Sequence, residues 1–596
     1  VSTPIADRRP DRVPTITPPL RRRRLLQALP LAIAACGIVA GLFACYLRLA
    51  ATFPVGADGA SNALEAWSLL HGNWLLRGWT LTDVSFYTTE LPEYAAVELA
   101  RGLNPDVVRT AAAVTYTLLI GAAGALARGR GSGREGWTRA LIAVGIMLAP
   151  QLGNGIHVLL SQPDHIGTQV PILGLLLLID RAPRRWSTVA VTWALLTVAI
   201  VADKIALVDA AVPLAFVGGL HATWAITPGT RWRALRAARG RGLVGRRLRA
   251  QWFELSLAAA AAAAAGTATL LSVVVTRLGG FTVLPVRTGM VTPGRVPANL
   301  SLALHGTLTL FGADVAAAPA AAGSADWQIA LAWLHAPGVA LAVAAFAVAV
   351  WRVPCPRDLV GDVLAVGIVV NLAGFIASVI PATAFDTREM AAVLPFGAVL
   401  AGRVFGPRLA RSAVAVTALA LAGTCQLAAL GYGVTRPPGV DPELALAGWL
   451  AAHHLTSGLG TFTDSNLTTT DSGGTVRLAT VSWRPPTYPA KCPQDTRGPA
   501  SLAPPVCTNT TGGAVPRLYQ SSASWYDSRA ARADFIVTGT ADGSADLIPR
   551  AEILALAGPP VRTWQFQAFT IMVWNQNLLP LLGDPPSVTP GDIGHA

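Results

Sequence analysis

Apolar runs of near membrane-crossing length recur along this chain, close to residues 25–50, 109–127, 138–157, 166–180, 187–202, 205–222, 255–276, 329–351, 360–380, 389–404 and 412–432. A helix rises 1.5 Å per residue, so about 20 apolar residues cross a hydrocarbon core of about 30 Å. About eleven such runs predict an α-helical polytopic membrane protein over residues 25–432. Composition agrees: only 13% of the 596 residues are charged and the mean hydropathy is +0.48, where soluble domains carry about a quarter charged residues. The first run follows basic residues, "RRRRLLQALPLAIAACGIVAGLFACYLRLA" (21–50), in the order of a signal peptide. It is long enough to span and has no clear small-residue cleavage site, so it is read as a retained span. Residues 1–24, rich in Pro and Arg, are read as a disordered basic tail on the cytoplasmic side.

The formal net charge is +13, and it comes almost wholly from arginine, since Lys204 and Lys491 are the only lysines. With abundant Ala, Gly and Pro, this is the coding bias of a high-GC genome of the actinobacterial kind. A basic chain invites a nucleic-acid reading, but the arginines are placed otherwise. Alternating the spans from a cytoplasmic N-terminus puts 1–24, 128–139, 181–185, 231–249, 352–357 and 403–411 inside. Most of the arginines lie there, and "RWRALRAARGRGLVGRRLRAQ" (231–251) holds eight with no acid. Such alternation is the positive-inside rule of a membrane protein. The partner is the lipid bilayer of the cytoplasmic membrane, and no nucleic acid is expected.

The segment 51–108, expected outside, has the opposite character. It carries Asp58, Glu65, Asp83, Glu90, Glu93, Glu98 and Asp106 against Arg77 and Arg101. From residue 433 to 596 the apolar runs shorten, Gly, Thr, Ser and Pro multiply, and stretches such as "TVRLATVSW" and "ADFIVTG" read as strands. This predicts an extracytoplasmic C-terminal domain of mixed α/β type, large enough to fold by itself. Cys492 and Cys507 fall within it, and an exported location predicts a disulfide between them, worth about 3 kcal/mol for a loop of about 15 residues. Its stretch "FTDSNLTTTDSGG" (462–474), with Trp449, Trp483, Trp525 and Tyr526, combines amides and aromatics that suit sugar binding, and reads equally well as a plain turn with core aromatics.

The stretch "FPVGADG" (53–59) places an acid just beyond the first span. With many spans and an exported C-terminal domain, this resembles the GT-C superfamily of polytopic glycosyltransferases, such as protein O-mannosyltransferases and mycobacterial arabinofuranosyl- and mannosyltransferases. The resemblance implies a GT-C-like transmembrane domain and transfer of a sugar from a polyprenyl-phosphate donor to a glycan, lipid or protein acceptor outside the membrane. It also implies that Asp58 is the catalytic base. Many members carry paired acids where this chain has Asp58-Gly59. The chemistry asks for a base near the acceptor hydroxyl and for stabilisation of the departing phosphate. The structural alternative for Asp58 is a helix cap, with Ser61 as the other cap candidate and Glu65 in the first turns.

Glu65, Glu90 and Glu93 are the candidates for a secondary acidic or acceptor site, against the alternative of a solvated amphipathic helix. For the donor phosphate the candidates are Lys204, Arg388 and His165. Lys204 is the one lysine of the membrane region, His165 follows Asp164 in "QPDHIGTQ", and Arg388 lies in "PATAFDTREMAAVLP", where family members often place an arginine against the lipid phosphate. An arginine suits phosphate through its forked donors. The alternatives are local ion pairs, Asp203 or Asp209 with Lys204 and Asp386 or Glu389 with Arg388. A divalent cation, Mg or Mn, would need Asp58 with Glu90 and a third ligand. A transporter or flippase of a cell-envelope precursor is the competing class, but the ionisable residues sit at span ends and no internal repeat is found.

Overall fold

Each apolar run lies on helix, and side chains far apart in sequence decide where those helices stop. The computed structural model describes residues 20–226, 251–284, 289–316, 325–352, 358–484, 513–539 and 549–583. The tail 1–19, the arginine-rich loop 231–249 and the pair Cys492 and Cys507 lie outside the described residues. The first helices are α1 (Leu20–Ala50), α2 (Ala57–Leu70), α3 (Glu90–Arg101), α4 (Val107–Arg128), α5 (Gly133–Met147), α6 (Asn154–Leu160), α7 (Ile166–Arg181), α8 (Trp186–Ala202) and α9 (Val212–Ile226). There follow α10 (Trp252–Arg277), α11 (Val296–Leu310), α12 (Ala325–Arg352), α13 (Leu359–Ala377), α14 (Val393–Leu409), α15 (Ala413–Val434), α16 (Pro442–Ala452) and α17 (Phe462–Asp471).

Among the described residues six helices are long and apolar enough to cross a membrane: Ala32–Ala50, Val107–Arg128, Trp252–Arg277, Trp327–Arg352, Leu359–Ala377 and Ala413–Val434. A seventh crossing arises if the 3₁₀ segment Ala384–Met390 and α14, bent by 50°, count as one. The expected count of about eleven is therefore not reached on length and composition. The run 138–157 is interrupted, with α5 ending at Met147 and α6 starting at Asn154 beyond Pro150. A broken helix exposes carbonyls that need donors. Here Tyr116 Oη donates to Met147 O at 2.8 Å, Tyr46 Oη to Leu148 O at 2.9 Å, and His335 Nε2 lies 2.8 Å from Ala149 O. The long connection 277–328 also contains a helix, α11, for which no expectation was made.

Helix α4 runs through the middle of the bundle, packed on α1, α5, α7 and α14. The approach of α14 to α5 is close because Gly402 and Gly406 face Arg139, where a Cβ at either position would collide with that residue. This is the small-residue spacing by which membrane helices approach each other. Trp327 and Trp351, both exposed, mark the two ends of α12. Exposed Trp137 and Trp186 begin α5 and α8, at the end where α12 finishes. Tryptophans at both ends are the interfacial belts of a membrane-spanning bundle.

The C-terminal region forms a six-stranded sheet of β3 (Ser457–Gly460), β4 (Arg477–Arg484), β5 (Gly513–Pro516), β7 (Phe535–Gly539), β8 (Arg562–Phe566) and β9 (Phe569–Val573), in the order β5-β4-β3-β7-β9-β8. Strand β3 is parallel to β4 and β7, and α17 makes the crossover from β3 to β4. The two stretches read as strands are β4 and β7, whereas 462–471 is helix rather than turn. This region is not set apart from the rest. Its β6 (Ser521–Ser522) joins a separate sheet, β2-β1-β6, with β1 (Trp79–Leu81) from the acidic segment and β2 (Thr282–Val283) from the connection after α10. Helix α17 lies on α2, where Asn466 Nδ2 donates to Ser61 Oγ at 2.6 Å and Thr470 Oγ1 to Ala60 O at 3.2 Å. Arg109 pairs with Asp441.

Candidate active site

Helix α2 positions the first group. Asp58, Asn62 and Glu65 recur at three- and four-residue spacing, so they share one face. The N-cap is Gly56, without a side-chain cap bond, so Asp58 sits in the first turn and is not the cap. Its carboxylate instead accepts a hydrogen bond of 3.0 Å from Arg388 Nη1, closing an ion pair across 330 residues of chain. Gly59, the residue after Asp58, backs onto Val108 and Gln162: a Cβ there would come within 2.7 Å of Val108 and 3.1 Å of Gln162. There is no room for a carboxylate at that position.

Arg388 is presented by the 3₁₀ segment Ala384–Met390, itself tied by a capping box in which Asp386 Oδ2 accepts from the Ala382 and Thr383 amides at 2.7 Å each. Asp386 therefore holds the backbone and is not the partner of Arg388. The guanidinium carbon lies 4.2 Å over the Phe385 ring. Behind Phe385 the stack continues: its ring is 4.5 Å from His157, which is 4.4 Å from Phe53, both pairs near parallel. Four residues from three separate segments thus form one column, and nothing in the sequence brings them together.

His165, at φ 60° in the left-handed region, lies beside this pair. Nδ1 is 2.7 Å from Asp203 Oδ2 and Nε2 is 3.2 Å from Glu389 Oε1. With a carboxylate at each nitrogen the ring serves as a doubly donating imidazolium. Burial alone would lower its pKa, but Glu389 and Asp203 outweigh burial and raise it well above the usual histidine value. His165 is thus engaged on both sides, not pointing a free donor at a phosphate. Asp203 belongs to His165, and Asp209 is held by Gln169 and Asn371 at 2.9 and 2.8 Å. Neither neutralises Lys204, which is exposed and donates to Asp83 O at 3.2 Å.

Sequence reading passed over Asp164, although it stands in the quoted "QPDHIGTQ". It is buried, accepts from Asn62 Nδ2 at 2.8 Å, and is pushed up to about 7 by burial first and by the charge of Asp58 second. The same forces raise Glu65 well above the carboxylate range, where Asp164 and Asp58 are its charged neighbours. Glu90 is fully buried, accepts from Thr168 Oγ1 at 3.1 Å, and lies so close to Gly167 that a Cβ there would meet its carboxyl at 2.6 Å. Burial pushes Glu90 up to about 8, Glu98 to about 9 and Glu93, bonded by Thr115 at 2.5 Å, to about 7. A segment that is strongly negative on paper therefore keeps much of its acid protonated near neutrality, and Glu65 and Glu90 do not line an open groove.

The C-terminal region reaches the same place. Tyr519 bridges Thr80 of β1, and Arg517 lies 4.5 Å over Phe462 and 5.3 Å over Tyr519. Burial, then the charge of Asp58, raise the Tyr519 hydroxyl well above its usual value. Three of the aromatics weighed for sugar binding or for the core have partners within the fold: Trp449 stacks on His453 and Phe566, Trp525 meets Trp79 edge-on, and Tyr526 donates to Thr480 O. For a divalent ion the fit fails. Asp58 and Glu90 take different partners, and among the described residues no three His, Cys, Asp or Glu side chains come together to hold a metal.

No family model and no curated protein matches the chain. Seven chains of known structure do. One is the oligosaccharyltransferase of Archaeoglobus fulgidus, crystallised as a complex with Zn and sulfate, which superposes with a TM-score of 0.42 at 14% identity over 74% of this chain and 62% of that one. The matched part is less than two thirds of the oligosaccharyltransferase's length.

Proposed function

We propose that this chain is an inverting glycosyltransferase of the cytoplasmic membrane, moving a sugar from a polyprenyl phosphate to a cell-envelope acceptor on the outer side. The observation that carries the reading is the Asp58–Arg388 pair, a carboxylate and a guanidinium joined by a hydrogen bond of 3.0 Å. It lies at the end of the bundle that the C-terminal region covers, away from the end where Arg181 and Arg403 bond the last turn of α4. The positive-inside pattern orients that end outward, with the N-terminus in the cytoplasm.

In the proposed reaction Asp58 takes the proton of the acceptor hydroxyl as the acceptor oxygen attacks the anomeric carbon. The bond from that carbon to the phosphate oxygen breaks, and polyprenyl phosphate leaves with the bonding pair. One displacement inverts the anomeric centre. Arg388 meets the charge that develops on the leaving phosphate, as preorganised donors do. Lys204, exposed next to Asp83, is placed as a second cation for the donor. His165 holds Glu389, the neighbour of Arg388 in sequence. Glu65, Glu90 and Glu93 form the packed acidic floor under the acceptor side.

The test is to incubate purified protein with polyprenyl-phosphate pentoses and hexoses and follow the lipids by mass spectrometry. Consumption of one of them by wild type and its loss in Asp58→Asn is expected; turnover of none would favour a transporter. A reporter that works only outside the cytoplasm, fused after Ala596, should be active, and its silence would reverse the orientation.

A further inference from the structure

Arg388 is held by something other than its ion partner. One face of its guanidinium is covered by Phe385, and the Phe385 ring is backed by His157 and then Phe53, at centroid spacings of 4.5 and 4.4 Å. Aromatic and cation–π contacts of this kind fix the plane of a guanidinium while leaving its donating edge available. Among the described residues that edge donates one hydrogen bond, to Asp58. Both members remain within reach of a ligand, with side-chain exposures of 22% for Arg388 and 16% for Asp58. Asp58, in contrast, sits on the first turn of α2 beside the buried acids Asp164 and Glu65.

We propose that Arg388 is a fixed cation on which the Asp58 carboxylate and an incoming lipid phosphate change places, so that the base is set free only once the phosphate has bound. The proposal rests on the roles given above to Asp58 and Arg388, and adds the order of events and the device that enforces it. The phosphodiester of the donor presents two charge-sharing oxygens to the fork of the arginine and competes with the carboxylate for it. Once displaced, Asp58 gives up its hydrogen bond to the cation, and its oxygens are open to the acceptor hydroxyl. Donor binding therefore uncovers the base. His157 is a positioning residue: it touches neither reactant and acts by keeping Phe385, and through it Arg388, in place when Asp58 lets go.

The sign of one measurement decides the matter. Binding of decaprenyl phosphate, a lipid phosphate without a sugar, is measured on the detergent-purified full chain by native mass spectrometry. Asp58→Asn removes the competitor and should bind about tenfold more tightly than wild type, the equivalent of one lost charge-assisted hydrogen bond. Asp58→Ala should behave the same way. His157→Ala should bind about tenfold more weakly and His157→Phe, which restores a flat ring, should match wild type. Unchanged or weaker binding by both Asp58 variants overturns the exchange, as does wild-type affinity in His157→Ala. If wild type binds and Arg388→Met does not, while the Asp58 variants equal wild type, the exchange alone falls and the donor site stands. Equal, negligible binding by wild type and Arg388→Met overturns both.

Discussion

Arg403 and Arg388 flank the body of α14 at opposite ends of the bundle, and the two ends treat an arginine differently. Every nitrogen of Arg403 is engaged. Its Nε and Nη2 bond Asp358 at 2.9 and 2.8 Å, Nη2 also bonds Asp180 at 3.0 Å, and Nη1 donates to Leu126 O at 3.1 Å. It ties together the ends of α4 and α7 and the start of α13, and its side chain is 9% exposed. Arg388 keeps one hydrogen bond and an aromatic face, amid more acids than it can pair. A cation with every nitrogen bonded to protein is structural, whereas one that is held by its face and sparsely bonded at its edge is ready for an anion.

The comparison can be broken first at Asp58. Asp58→Asn leaves the helix start intact, because the cap is Gly56, and should lower transfer by about 10²–10⁴-fold, the usual cost of a lost general base. Thermal unfolding should hardly change, and a fully active variant would end the assignment. The next largest effect belongs to the other end. Arg403→Met leaves Asp180 and Asp358 without their cation, and removing one partner from a buried pair costs about 3–5 kcal/mol. Asp358 is half exposed, so the lower figure is expected, read as a fall in unfolding temperature. Arg388→Met should do the reverse, folding normally while weakening donor binding about 10–100-fold, as for a lost hydrogen bond to a charged group.

The smallest effect is at Glu90. A carboxyl with an ordinary value of 4.5 that is raised to about 8 in the fold favours the protonated native state. The stability this contributes is complete below about 4.5 and is lost as pH rises through about 8. Glu90→Gln mimics the protonated acid, so below about pH 4.5 it should change little. It should flatten the loss of stability that wild type shows between about pH 4.5 and 8, and a steeper loss would contradict the buried neutral acid.

Much of the bundle was legible because apolar length and arginine placement are local signals. The strands β4 and β7 showed themselves by the same kind of local pattern. The interruption of 138–157 was not legible: it depends on Tyr46, Tyr116 and His335, which come from three other helices to cap the freed carbonyls. Asp58 and Arg388 were each marked by position as candidates, but their pairing is a contact between residues 330 apart in sequence. The column of Phe53, His157 and Phe385 leaves no trace in sequence at all, since an aromatic near a span end is ordinary. The acids of 51–108 misled in another way, because counting charges takes no account of the burial that keeps Glu65, Glu90 and Glu98 protonated.

The β2-β1-β6 sheet has a consequence in time. Ribosomes deliver β1 early, β2 midway and β6 near the end, and domains assemble as the chain emerges. Asp58 and Arg388 can both be in the membrane while Ser61 still lacks Asn466, its partner 405 residues away, and β1 lacks an edge. Unpaired strands are slow to find distant partners and expose backbone in the meantime. A ribosome that stalls before Ser521 would leave the helices inserted and the site unroofed. Strand β6 would thus act as a check on the completeness of the site, and chains cut short before it should be inert and quickly degraded even when every helix of the bundle is in place.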